Sequence, residues 1–95
     1  MNIDEILAER EKTHGDFKDH AKTAQQLKFT LREQSKDWQV DFSHTQQEAL
    51  EMICHKIARI VAGNPNFADH WRDIAGYAML VADELEAQDE RVFGA

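Results

Sequence analysis

Residues 43–65 read SHTQQEALEMICHKIARIVAGNP, and this stretch decides the fold. Ser43 and Gln46 fit a capping box, in which each side chain serves the other's backbone N–H. Thr45 and Glu48 fit the same device in a shifted frame. Gly63-Asn64-Pro65 supplies the stop, so the spacing predicts a helix that ends at Ala62. Wound at the helical period, Leu50, Ile53, Ile57, Ile60 and Val61 fall within about 100° of one another, the expected core face. Glu48, Glu51, His55 and Arg59 occupy about 80° on the far side, with Met52 and Lys56 at the border. Cys54 flanks the apolar stripe and is expected to be a buried, inert thiol.

The same period extends outward. Before the capping box, Ile3, Ile6 and Leu7 predict a helix from Asn2 to about Thr13, interrupted by His14-Gly15-Asp16. There Gly15 can end one helix through a positive φ and Asp16 can cap the next. Phe17, Ala21, Ala24, Leu27 and Leu31 share a side, so a second helix is expected from Phe17 to about Gln34. His20 flanks this stripe, and Phe29 on the opposite side suggests a second buried contact. Ser35 to Phe42 reads as a loop whose Trp38, Val40 and Phe42 cover the core. After Pro65, a fourth helix is expected from Asn66 or Asp69 to about Gln88, with Trp71, Ile74, Ala78, Val81 and Leu85 facing inward. Residues 89–95 read as a frayed tail in which Val92 and Phe93 could dock.

Ninety-five residues with no repeat or linker make one domain, 1–95, and one Pro and four Gly disfavour a turn-rich β fold. The expected architecture is all-α, bundle-like, with four helices. Lys and Arg number 11 against 18 Asp and Glu, a net charge of −7. An acidic chain without a basic run is poorly suited to duplex nucleic acid. No apolar run approaches a membrane span, no signal-peptide core precedes the first helix, and a single Cys suits a reducing compartment. Met79, Leu80 and Phe29 fall outside the core faces, which points to a homo-oligomer, a dimer or larger.

The polar stripes carry the chemistry. Two helices joined by a few residues pack antiparallel, so Glu48 and Glu51 could meet Asp73, His70 and Asp69 along one groove. Carboxylates gathered in this way suit Mg²⁺ or Mn²⁺, which bridges phosphates and activates water. Lys56 and Arg59 could bind phosphate oxygens, and Tyr77 lies on the same flank. A plain solvated helix face has the same pattern, and His14-Gly15-Asp16 can be a simple helix–helix turn.

Glu9 to Phe17 (EREKTHGDF), Gln47 to Ile60 (QEALEMICHKIARI), Gly63-Asn64-Pro65 and Asp69 to Ala78 (DHWRDIAGYA) resemble blocks of a family of small phage and prophage proteins of unassigned function. More distantly, the chain resembles the all-α nucleoside triphosphate pyrophosphohydrolases of the MazG and dimeric dUTPase kind. Their Glu-x-x-Glu is matched by Glu48-Ala49-Leu50-Glu51. Their Glu-x-x-Asp becomes His70-Trp71-Arg72-Asp73, which leaves three of four carboxylates unless Asp69 substitutes. The resemblance implies a helical dimer or tetramer in the cytosol of a bacterial host. It implies Mg²⁺ on Glu48, Glu51, Asp73 and His70, with Glu51 catalytic in releasing pyrophosphate from a nucleoside triphosphate. Lys56, Arg59, Tyr77, His14 and Asp16 would bind the ligand. Three functions stay open: a pyrophosphohydrolase, a silent nucleotide-binding relative, and an acidic module that contacts a host protein.

Overall fold

The computed structural model describes the backbone over residues 2–93 and side-chain surroundings over 2–89. Among the described residues all secondary structure is helical: α1 (Ile3–His14), α2 (Phe17–Gln34), α3 (Trp38–Asp41), α4 (His44–Ala62) and α5 (Ala68–Phe93). None is long and apolar enough to cross a membrane.

The local signals act as expected at α2 and α4, and Gly15 ends α1 at φ +78° as expected. Asn2 caps α1 by accepting from Glu5 N at 2.8 Å. Asp16 caps α2. Both halves of the capping box form at α4: Gln46 N donates to Ser43 Oγ at 3.1 Å, and Ser43 N donates to Gln46 Oε1 at 2.8 Å. Two expectations are corrected. The segment read as a loop contains α3, a single turn capped by Asp37, because four residues are too few to show a period. The last helix, expected to end near Gln88, is assigned to Phe93, since its polar residues include no breaker. Docking of Val92 and Phe93 lies outside the described side chains.

α4 is the central helix. α2 and α5 both pack along it, and α1 crosses onto α4 and α2 at one end. α2 meets α4 near Cys54 and His55, and α5 meets it near Ala49 and Lys56; Cys54, Ala49 and Lys56 are buried. These two lines lie on roughly opposite sides of α4 by the helical period. The expected core face is therefore only partly covered: Ile57 is at the surface and Val61 is 69 % exposed. Small side chains let the helices approach at both flanks, and the larger aliphatic stripe between them faces out of the layer. Trp71 and Leu85 on α5, also expected inside, are exposed, as are Phe17, Phe29, Val40, Met79 and Leu80. Ala24, Trp38, Ala49, Cys54 and Ala58 form the buried apolar set.

The shape is elongated, 54 × 28 × 23 Å with a radius of gyration of 16.5 Å, against about 12 Å for a globular chain of this length.

Candidate ligand site

The site is organised by two touching turns. Gly15, at φ +78°, lies so close to the α4–α5 turn that a side chain there would overlap the carbonyl of Ala62. A side chain at Gly63 would likewise meet Thr13 O. Thr13 O accepts from Asn64 N at 3.1 Å and from His70 Nε2 at 2.8 Å. A carbonyl only accepts, so the His70 proton resides on Nε2. His70 is 1 % exposed and stacks edge-on with His14 and Phe67, each at 4.8 Å between centroids. It therefore ties α5 to the end of α1.

Around these turns histidines gather beside Arg10 and Arg59. His14 is held below the ordinary histidine value by burial and by the charges of Arg59, His70 and Arg10. Burial, Arg59, His55 and His14 hold His20 down in the same way. His55 is lowered by burial, Lys28 and Arg59. Lys28 Nζ donates to His55 Nε2 at 2.9 Å, so that imidazole accepts and is neutral. Burial and Arg10 pull Arg59 down, while Asp73 and Tyr77 act the other way. Arg59 is half-buried and has no ion-pair partner among the described residues.

Two concavities adjoin this cluster. A groove of about 410 Å³ is lined by Arg72, Asp73, Gly76, Tyr77 and Leu80. A cavity of about 330 Å³ lies under the Gly15 turn, bounded by Leu7, Arg10, Glu11, His14, Asp16, Phe17 and His20.

The residues expected to hold a metal are dispersed. Glu48 is exposed. Glu51 on α4 is paired with Arg32 of α2. Asp73 is bonded to the buried Lys56 at 2.8 Å, and that bond holds its carboxyl below the usual carboxylate range. His70 is committed to Thr13 O, and Asp69 pairs with Arg72 at 3.2 Å. Among the described residues no three His, Cys, Asp or Glu side chains come together to hold an ion. Of the expected ligand-binding set, Arg59, Tyr77 and His14 share one electrostatic neighbourhood, Asp16 lies with His14 on the cavity wall, and Lys56 is engaged by Asp73.

Residues 3–85 match a family described as Domain of unknown function (DUF6378). The chain belongs to that family. The DUF6378 match runs from the first residue of α1 into α5, so it takes in Arg10, His14, His20, Arg59, Asp73 and Tyr77. No curated protein and no solved structure matches the chain.

Sequence reading passed over Arg10 and His20. Arg10 stands one helical turn before His14, a spacing that puts both on one face. His20 was assigned to the edge of the core stripe, and only the approach of α4 shows what surrounds it.

Proposed function

We propose that the protein binds a nucleotide through its phosphates and does not hydrolyse it. The observation that carries this reading is Arg59: a half-buried guanidinium without an ion-pair partner among the described residues, beside His14 and Tyr77. A guanidinium taken partly out of water is costly unless an anion meets it, and its planar fork suits phosphate oxygens. Tyr77 lines the adjoining groove and offers an aromatic face to a base or sugar. The resemblance to MazG-like enzymes supports a nucleoside triphosphate as the ligand class. The engagement of Glu51 by Arg32 and of Asp73 by Lys56 favours binding over metal-dependent hydrolysis.

The test is incubation of the whole chain with common ribo- and deoxyribonucleoside triphosphates, with and without Mg²⁺ or Mn²⁺. Thermal unfolding and pyrophosphate are followed together. Binding without pyrophosphate is expected, with a stabilisation of about 2.7 kcal/mol at a hundredfold excess over Kd, and Arg59→Gln should abolish it. Pyrophosphate release that disappears in Glu51→Gln or Asp73→Asn would make the protein a hydrolase. No shift with any nucleotide would overturn the reading and favour a protein partner for the acidic surface.

We also propose a homo-oligomer as the working unit, supported by the uncovered aliphatic stripe of α4 and the exposed Trp71 and Leu85 beside it.

A further inference from the structure

We propose that the apolar face left open by α4 and α5 is closed by the same face of a second copy, with Trp71 of each chain seated in the trough between α4 and α5 of the other. The proposal rests on the oligomer reading and names its interface, its symmetry and its anchor.

The face has two unlike ends. Towards the start of α4, a trough of about 330 Å³ opens between the two helices, lined by Phe42, Leu50, Ile53, Ala78 and Val81. By the α4–α5 turn, Trp71 and Val61 stand 55 % and 69 % exposed. Helical spacing puts both ends on one face. Trp71, Ala78 and Leu85 recur at every seventh residue and share a stripe of α5, and Ala78 lines the trough. Leu50, Ile57 and Val61 share a stripe of α4, and Leu50 lines the trough.

Trp71 has the properties of an anchor. Its Nε1 donates to Pro65 O of its own chain at 2.8 Å. The one polar atom of the side chain is therefore satisfied, the ring is held in place, and what it offers outward is apolar. A ring fixed before contact loses little freedom on binding, and Trp is prominent among the residues that dominate interfaces. The trough lies near the small end of pocket volumes, roughly 300–1,000 Å³, which suits one large side chain. The small side chain of Ala78 leaves room there for an indole.

Three observations select a second copy as the occupant. No charged side chain belongs to the two stripes or to the trough lining, in a chain that is 31 % charged with a net charge of −7. A partner drawn to this chain by its charge would bind elsewhere, and two copies repel each other least at this face. The protruding ring and the hollow occur on the same chain, so one two-fold axis satisfies both at once. The accessible surface of 7088 Å² exceeds the roughly 5,600 Å² of a folded 11.0 kDa monomer by more than one partner's share of a standard interface, about 800 Å². To set Trp71 over the other copy's trough, the axis runs across the helices near Ile57 and Ile74, and α4 meets α4 antiparallel. Arg59 lies about 180° around α4 from Leu50, so this pairing leaves the ligand site of each copy open.

The test is sedimentation equilibrium of the whole chain, parent and two variants, with helicity followed by circular dichroism. Trp71→Ala removes the ring and Ala78→Trp fills the trough. Both positions are exposed, so both variants should keep the parent's helicity. Each should raise the dimer Kd roughly thirtyfold or more. The parent's own fluorescence gives a reading free of any substitution. Trp38 is already buried within one chain, so a blue shift and a loss of acrylamide quenching as concentration rises report Trp71 entering the trough. A dimer that both variants leave intact, or that forms with no change in emission, overturns this interface and spares the oligomer reading. A dimer weakened by one variant alone overturns the pairing of ring with trough. A parent that stays monomeric overturns the interface and the oligomer reading together.

Discussion

Gly15 and Gly76 show how differently two glycines in one chain can act. Gly15 combines φ +78° with an extended ψ of −178°, a region that essentially only glycine occupies, and it abuts the Ala62 carbonyl. Gly15→Ala should cost about 2 kcal/mol or more through backbone strain and overlap. Gly76 lies inside α5 with open space where a side chain would stand. Gly76→Ala should stabilise by about 1 kcal/mol from helix propensity. Urea unfolding of the two variants checks both signs. The histidines give a second prediction at this scale. His14, His20 and His55 all have folded pKa values below the ordinary value, so the unfolded chain binds more protons. Their contribution is complete above about pH 6.5 and is lost as pH falls from there towards the folded values. The thermal midpoint should fall on acidification through that window. A midpoint flat from neutral to mildly acidic pH would contradict the placement of these rings.

Among the elements, α4 was the most legible, because a reciprocal cap at one end and Gly63-Asn64-Pro65 at the other leave little choice. Ser43→Ala should cost about 1 kcal/mol, read from urea unfolding, since it leaves Gln46 N without its acceptor. The limits of α2 were equally plain, from Asp16 to the end of its apolar period. α3 was not legible, since one turn contains no repeat. The end of α5 was placed too early because charge density resembles fraying, whereas helix propensity alone carries charged residues well. The carboxylate groove was read from facing polar stripes. Stripes do not show which neighbour each side chain finds, and Glu51 found α2 while Asp73 found Lys56.

At the scale of the molecule, three helices form a layer with α4 in the middle, and a helical layer needs a second one to cover its apolar face. The accessible surface is 7088 Å², whereas a folded monomer of 11.0 kDa is expected to expose about 5,600 Å². The excess is larger than the roughly 800 Å² that each partner contributes to a standard interface. Sedimentation velocity should therefore show a dimer or larger species. Val61→Glu together with Ile57→Glu should dissociate it without loss of helicity by circular dichroism. A parent chain that sediments as a monomer at the highest concentration reached would remove the oligomer.

The sequence by itself determined an all-helical chain, most of its helix limits and the glycine-bearing turns, because caps, breakers and periods act over a few residues. It also offered Arg59, His14, Asp16 and Tyr77 as candidates for binding a ligand. Tertiary structure alone decided which face of α4 was covered, which cation took each carboxylate, and that Arg10 and His20 share a cavity. Those outcomes depend on which helix flanks which, a choice made by the fit of small side chains between helices far apart in the chain. No local pattern records that choice.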